Sequence, residues 1–208
     1  MQTPVTIEVQ GLACTRGERL VFADVAFQLA KGGVLAVEGP NGAGKTSLLR
    51  ILAGFIEPSA GSVCLVSGHE RVREPEERAK LVGWLGHADA ARSQLTPLEL
   101  LRDFSALYRS AVDVRAALDR VGLATLASLP CRYLSAGQKK RLALARLLVC
   151  NRSIWLLDEP LAALDTKGKA LASDLIQEHR AAGGIAVVAT HESLNLESFE
   201  LRLGGQIP

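Results

Sequence analysis

The chain repeats one pattern, in which a short apolar run ends at glycine or at charged residues. Residues 34–37, 153–157 and 185–189 are runs of this kind, made largely of valine, isoleucine, leucine and alanine. Residues 81–86 form a fourth run that ends at His87. Short apolar runs are typical of strands that are buried on both faces of a parallel sheet. The pattern therefore predicts a buried, mostly parallel sheet.

A weaker pattern surrounds the first of these runs. Residues 5–10 and 19–29 alternate in part between apolar and polar side chains, as half-buried antiparallel strands do. Another apolar stretch, 62–66, follows a turn at 59–61. Residues 70–80 are rich in glutamate and arginine, which favours a solvent-exposed helix or loop.

Helical spacing appears between the strands. Residues 46–53 place apolar side chains three and four positions apart, and Gly54 supplies a C-cap. Thr96, Pro97 and Glu99 fit the N-cap, N1 and N3 positions of a helix that runs to about residue 108. These signals predict helices at both places.

More helices are predicted in the second half of the chain. Asp113 can cap one that ends near residue 121, so that 94–132 reads as a helical insert between strands. Two further helices are expected over about 139–149 and 167–181. Strands that alternate with helices indicate an α/β fold with helices on both faces of the sheet. We expect one domain, 1–208, with a helical subdomain of about 94–150 inside it.

Composition adds little to this picture. The 208 residues are 48% hydrophobic and 22% charged, which is typical of a globular protein, and the net charge of +2 gives no argument for nucleic-acid binding. No apolar run approaches the ~18 residues of a membrane span, and the first residues do not resemble a secretory signal. The four cysteines are scattered, which disfavours metal or disulfide roles and favours reduced thiols in a cytosolic protein.

The clearest candidate for chemistry is the glycine-rich stretch from Gly39 to Thr46. It fits G-x-x-x-x-G-K-[ST], the phosphate-binding loop, and it lies between a predicted strand and a predicted helix. Backbone N–H groups of such a loop and the helix N-terminus can hold phosphates, Lys45 can reach the β- and γ-phosphates, and Thr46 can ligate Mg²⁺. The alternative is a glycine-rich turn that matches by chance, which the flanking strand and helix disfavour.

A second candidate follows the strand at 153–157. Asp158 can hold Mg²⁺, and Glu159, pointing the other way if the strand alternation continues, can orient a water molecule. On their own these carboxylates would more often form an acidic turn. Lys45, His87 and His191 also follow predicted strands, and ligands of parallel sheets bind at those carboxyl ends.

A third motif distinguishes among nucleotide-binding proteins. Ser135 and Gln138 fit an ordinary capping box, but the same helix N-terminus can also meet a phosphate. The phosphate loop, then Leu-Ser-Ala-Gly-Gln at 134–138, then Ile-Trp-Leu-Leu-Asp-Glu-Pro at 154–160, resembles the ATP-binding cassette (ABC) ATPases over essentially the whole chain. The resemblance implies a P-loop NTPase fold with an N-terminal antiparallel β subdomain and a helical subdomain.

The resemblance also implies how ATP is bound. Two copies sandwich two ATP molecules, so that Ser135, Gly137 and Gln138 of one copy meet the ATP on the phosphate loop of the other. Glu159 matches the family's catalytic base, His191 its γ-phosphate sensor, and 162–165 the loop that links the two sites. The expected cofactors are ATP and Mg²⁺, with the metal at Thr46, Asp158 and His87. The near side of the nucleotide is assigned to Gly39, Pro40, Asn41, Gly42, Ala43, Gly44, Lys45, Thr46, Ser47 and Arg16.

The chain departs from the family pattern at two positions. Arg16 stands where many members have an aromatic residue that stacks on adenine; a guanidinium plane can also stack on a base, and an exposed arginine in a turn is the equal alternative. His87 stands where the family has a glutamine that contacts Mg²⁺ and the attacking water. Imidazole can ligate a metal or bind water, so we expect His87 to fill that catalytic role.

Several features resemble one branch, the haem exporter ATPases of the bacterial cytochrome c maturation system. They are Gly86-His87, the stretch 95–101, the form of the 134–138 motif and the small size. The branch implies a peripheral ATPase on the cytoplasmic face of the inner membrane that docks on separate integral-membrane subunits. Its ATP hydrolysis powers haem export or release of a haem-loaded chaperone, and the haem is not bound by this chain.

Other readings stay open at this point. One is an ABC ATPase of another transporter, an importer or a drug exporter, because the membrane partner decides the substrate. Others are a soluble ABC ATPase in DNA repair or translation, and a nucleotide-dependent interaction module without turnover. The chain lacks a coiled-coil insert or a second cassette, which disfavours a soluble ABC ATPase. An interaction module without turnover is disfavoured because Lys45, Asp158, Glu159 and His191 are all present.

Overall fold

The computed structural model describes residues 5–86 and 94–204 and contains two sheets. The first sheet is antiparallel, with strand order β2-β1-β4-β5. Its strands are β1 (Val5–Arg16), β2 (Arg19–Leu29), β4 (Ala60–Ser67) and β5 (Glu70–Val72). The antiparallel pairing predicted for 5–10 and 19–29 is confirmed, but β1 continues to Arg16. Gly11, at φ 55°, and three register shifts against β2 let the strand bend without ending.

The second sheet is parallel throughout, with order β6-β7-β8-β3-β9. Its strands are β3 (Val34–Glu38), β6 (Val82–Leu85), β7 (Ile154–Asp158), β8 (Ile185–Ala189) and β9 (Phe199–Arg202). The four apolar runs are therefore strands, as predicted. The pattern did not predict β9, because this edge strand has no apolar run and its Phe199 is exposed.

The strands of the parallel sheet bury opposite faces in two separate cores. Leu35 and Val37 pack with the antiparallel sheet and with helix α1 (Lys45–Leu52), whereas Val34 and Ala36 pack with the helices of the second half. This alternation explains why the central strands are apolar at every position. It also fixes the loop between β3 and α1 at the carboxyl edge of the sheet.

The other helices are α2 (Pro75–Ala79), α3 (Pro97–Tyr108), α4 (Val114–Arg120), α5 (Ala136–Cys150) and α6 (Thr166–Ala181). The predicted caps form: Thr96 and Glu99 make a capping box, and Asp113 accepts from the backbone of Arg115. Helices α3, α4 and α5 pack against one another. Within the described ranges, no helix is long and apolar enough to cross a membrane.

The prediction for residues 70–80 is wrong in part. They contain β5 and α2, and Arg78 is buried, not solvated. Its Nη1 donates to the carbonyl oxygen of Ile51 near the end of α1 (3.2 Å), and burial lowers the pKa of its guanidinium. A buried arginine cannot be told from an exposed one by sequence, because both lie among charged neighbours.

Candidate active site

The turn between β3 and α1 requires its glycines for steric reasons. Gly44, the N-cap residue of α1, has φ 98°, and a Cβ there would lie 2.5 Å from Cγ1 of Val21 on β2. Gly39 has φ 148°, and a Cβ there would lie 2.4 Å from the carbonyl oxygen of Leu203. The loop is therefore clamped between the antiparallel sheet and the segment that follows β9.

Lys45, the first residue of α1, is buried inside this turn. Its Nζ donates to the carbonyl oxygens of Gly39 (2.6 Å) and Pro40 (3.4 Å). The ammonium group therefore stands beside the N-terminus of α1, whose partial positive charge has the same sign. Two positive contributions at one point favour an anion with several negative oxygens, such as a di- or triphosphate.

Thr46 and Asp158 meet in front of that helix. Thr46 Oγ1 donates to Asp158 Oδ2 at 2.9 Å, and Asp158 is the last residue of β7 and buried. A hydroxyl and a carboxylate are the oxygen ligands that Mg²⁺ prefers, usually together with phosphate oxygens and water. The pair fits such an ion, although no group of three or more histidine, cysteine, aspartate or glutamate residues lies together in the described ranges.

Glu159 leaves the strand immediately after Asp158. It has φ 49°, its N–H donates to Ala189 at the end of β8 (2.9 Å), and its side chain is mostly buried, at 13% exposure. We expected strand alternation to direct the two carboxylates in opposite ways. Both residues line one cleft, Asp158 at the end of β7 and Glu159 after a left-handed turn. Its Oε2 lies 3.0 Å from Nδ1 of His191, which is 65% exposed.

The segment that carries His191 is tied to its surroundings on both sides. Thr190 Oγ1 accepts from the N–H of Glu192 (2.9 Å), and the carboxylate of Glu192 pairs with Lys169 on α6. One turn further along α6, Ser173 donates to the carbonyl of Leu194 (3.2 Å). These contacts hold His191 at the mouth of the cleft.

One cleft of about 460 Å³ contains most of the predicted residues. Two of the residues assigned to the near side of the nucleotide do not line it: Gly39 faces Leu203, and Ala43 is packed in the core. Two lining residues were not predicted, namely Val21 and Arg50, whereas Ala162 belongs to the stretch 162–165 that was expected to link the two sites. Arg50 follows Thr46 by one helical turn, a spacing that could have revealed it. The predicted residues that line the cleft are Arg16, Pro40, Asn41, Gly42, Gly44, Lys45, Thr46, Ser47, Asp158, Glu159 and His191.

The family can be decided by comparison with known proteins. The family model described as ABC transporter matches residues 22–162. The chain belongs to the ABC transporter family. It therefore binds and hydrolyses ATP, as its motifs predicted.

Similar curated proteins cover nearly the whole chain. One from Paramagnetospirillum magneticum is 45% identical over 92% of this chain and 90% of its own length, and one from Rhodopseudomonas palustris (strain HaA2) is 47% identical over 94% and 96%. Both are named cytochrome c biogenesis ATP-binding export protein CcmA.

Solved structures with the same fold include an ABC transporter ATP-binding protein from Pyrococcus furiosus, at a TM-score of 0.82 and 24% identity over 95% of this chain and 97% of that one. Another is a dimeric ATP-binding cassette in a post-hydrolysis state with ADP and Pi, at a TM-score of 0.76 and 24% identity over 89% and 88%. Identities this low show the fold alone.

The residues predicted to act across a dimer lie elsewhere. Ser135, Gly137 and Gln138 are at the N-terminus of α5, and none of them lines the cleft. Ser135 Oγ accepts from the N–H of Gln138 (3.2 Å), while Gln138 Oε1 accepts from the N–H of Ser135 (2.8 Å). A Cβ at Gly137 would lie 2.9 Å from the carbonyl of Ala163, so this helix end packs on the loop that follows Glu159. His87 lies outside the described residues.

Proposed function

We propose that this chain is the ATP-hydrolysing subunit of an export system in cytochrome c biogenesis. The observation that carries the proposal is a set of relatives that are named cytochrome c biogenesis ATP-binding export proteins. Eight of them are 43–47% identical to this chain, and each alignment covers at least 91% of it. Identity at that level over a full cassette supports a common role more strongly than the alternatives among importers, drug exporters and soluble ATPases.

The cellular setting is part of the same proposal. The chain docks on separate integral-membrane subunits at the cytoplasmic face of the bacterial inner membrane. Its hydrolysis powers haem export or the release of a haem-loaded chaperone, and the haem is handled by the membrane subunits. Support for membrane partners is the name of the relatives, which are ATP-binding proteins of an export system.

The near side of the ATP site follows from the contacts in the cleft. Lys45 and the N-terminus of α1 bind the β- and γ-phosphates, a task that suits a buried ammonium beside backbone N–H groups. Thr46 and Asp158 would hold Mg²⁺, which would supply charge neutralisation at the phosphate oxygens. As the sequence predicts, His87 would be the third residue that contacts the metal.

Glu159 and His191 act on the attacking water and the γ-phosphate. The Glu159 carboxylate accepts a proton from the water molecule while the water oxygen forms a bond to the γ-phosphorus. The bond between the γ-phosphorus and the oxygen that bridges to the β-phosphate breaks, which gives ADP and phosphate. The contact between His191 Nδ1 and Glu159 holds the carboxylate toward the cleft. Once ATP is bound, the imidazole N–H can donate instead to a γ-phosphate oxygen, because a neutral imidazole has a single N–H to give.

The site is complete only with a second copy of the chain. Ser135 is exposed and lies outside the cleft, so its hydroxyl is available to the γ-phosphate on another copy. Gly137 and Gln138 belong to the same helix end, which sits in the proposed helical subdomain of about 94–150. Within each copy, this helix end packs on the loop after Glu159.

The proposal is tested in a bacterium that lacks its own gene for this subunit. We expect the chain, expressed there, to restore haem-stained c-type cytochromes and to co-purify with integral-membrane proteins. Lys45→Ala should abolish the restoration, while Lys167→Ala, which changes an exposed lysine on α6, should not. Folded, ATP-hydrolysing chain that restores no c-type cytochrome, or is stimulated by DNA or ribosomes and by no membrane protein, would contradict the proposal.

A further inference from the structure

The stretch that carries His191 is fixed at both ends. On one side of the histidine, Thr190 is buried and its N–H donates to a carbonyl oxygen of β3 (3.2 Å). A few residues later, Leu194 is buried and its carbonyl oxygen accepts from the hydroxyl of Ser173 on α6 (3.2 Å). The three residues between these ends, 191–193, depend on their own contacts for their position.

Packing does not hold the His191 ring in place. The side chain is more than half exposed. It lines both the cleft and a second cavity of about 420 Å³, whose other walls include Glu38 and Glu200. The ring therefore has space to move, and polar contacts must set where it points.

Within the described ranges, two side chains of the segment 191–193 contact another element. His191 Nδ1 lies 3.0 Å from Oε2 of Glu159. Glu192 forms an ion pair with Lys169, which belongs to the first turn of α6. When the imidazole N–H turns from Glu159 to a γ-phosphate oxygen, the first of these contacts is given up and the ion pair remains.

We propose that Lys169 is a positioning residue for ATP hydrolysis. Through Glu192 it holds the backbone of His191 in place while the imidazole moves from Glu159 to the γ-phosphate. Lys169 does not line the cleft, so it acts through the histidine and not on the nucleotide. The inference rests on the proposed function, and within it on the role of His191.

The size of the two effects separates positioning from a structural role. A misplacement of about 1 Å at a group that contacts the reacting atoms can lower a rate by about 100-fold. An ion pair between partly exposed side chains, by contrast, contributes little to stability. Loss of the pair should therefore slow hydrolysis and leave the fold as stable as before.

The test measures kcat for ATP hydrolysis, the Kd for ATP and the urea midpoint of unfolding on the full chain. Lys169→Met keeps the length of the side chain without its charge, and we expect it to lower kcat about tenfold while Kd and midpoint stay unchanged. Lys169→Arg keeps a cation that can pair with Glu192 and should stay within about twofold of the wild-type kcat. The matched control is Lys167→Met, at an exposed lysine two residues away on the same helix, which should change none of the three.

Double variants show through which residue Lys169 acts. Glu192→Gln should lower kcat as much as Lys169→Met does. The two changes together should cost no more than either alone, because both remove the same ion pair. In a chain that already carries His191→Ala, Lys169→Met should lower the remaining hydrolysis no further.

The outcomes distinguish this inference from the proposed function. Lys169→Met that hydrolyses ATP like the wild type, or that loses ATP affinity or stability along with kcat, overturns the inference and leaves the proposed ATPase intact. A further loss on top of His191→Ala also overturns it, because Lys169 would then act without the histidine. If His191→Ala itself hydrolyses ATP like the wild type, the proposed role of His191 is wrong and the inference falls with it.

Discussion

Among single residues, Glu159 gives the clearest prediction for the rate of ATP hydrolysis. We predict that Glu159→Gln lowers ATP hydrolysis at least about 100-fold, because an amide cannot take a proton from water at neutral pH. Nucleotide affinity should be kept, since the amide has the same shape and can still contact His191. Both quantities are measured on purified chain, by phosphate release and by equilibrium binding of ATP.

The control for Glu159 is another carboxylate of the chain. Asp174 is exposed on α6 and lies outside the cleft, so Asp174→Asn should hydrolyse ATP like the wild type. A Glu159→Gln variant that keeps more than a tenth of the wild-type rate would show that another group accepts the proton.

The sequence predicted the cleft residues that belong to motifs better than the cleft residues that belong to none. Lys45, Thr46 and Asp158 belong to motifs whose spacing reflects the chemistry of phosphate and metal, so pattern alone located them. Val21 reaches the cleft through the packing of β2 on the loop and belongs to no motif, whereas the helical phase of α1 could have revealed Arg50. The turn at Glu159 was also unpredictable, because its left-handed backbone occurs at a residue other than glycine.

At the scale of elements, the N-terminus of α5 combines a structural and a proposed functional role. Ser135 caps the helix, and aspartate caps helices equally well. We therefore predict that Ser135→Asp leaves the free energy of unfolding nearly unchanged but strongly reduces ATP hydrolysis, because a carboxylate would face the γ-phosphate bound to the second copy. Urea unfolding and the dependence of ATPase rate on protein concentration measure the two effects.

The chain offers a matched control for this change. Asp113 caps the start of α4 by accepting from the N–H of Arg115, so the reverse exchange, Asp113→Ser, should alter neither stability nor hydrolysis. Ser135→Ala removes the cap and should cost about 1 kcal/mol of stability. If Ser135→Asp hydrolyses ATP at the wild-type rate, α5 only folds the subunit and does not complete the site of a second copy.

Elements with their own caps or apolar runs were predictable, and those defined by neighbours were not. The starts of α3 and α4 carry local capping signals, and both formed as expected. By contrast, β9 exists because it adds to the edge of β3, and α2 is fixed by Arg78, which reaches back to α1. Tertiary contacts of this kind leave no periodic trace in a single sequence.

At the scale of the whole molecule, His179 links three elements of the core. It lies on α6, its ring stacks on Trp155 of β7 with centroids 4.0 Å apart, and its Nε2 lies 3.2 Å from the carbonyl oxygen of Ile185 on β8. A Cβ at Gly184 would lie 2.2 Å from the ring, so only glycine leaves room for this arrangement. Burial lowers the pKa of His179 to about 4.

This depressed pKa makes the fold sensitive to acid. In the unfolded chain the histidine has a pKa of ~6.5, so below that pH the unfolded state binds a proton that the folded state excludes. The stability contributed by neutral His179 is therefore complete above pH ~6.5 and is lost as pH falls toward 4. Between pH 7 and pH 5 the loss should be about 2 kcal/mol of unfolding free energy.

We predict that His179→Phe removes this part of the acid sensitivity, because phenylalanine keeps the stacking on Trp155 but binds no proton. Urea unfolding at pH 5, 6 and 7 measures the change in slope against the wild type. His69, which is exposed, supplies the control: His69→Gln should leave the slope as it is. A slope in His179→Phe equal to that of the wild type would mean that His179 is protonated in the folded chain, and that burial between α6 and the parallel sheet does not exclude the charge.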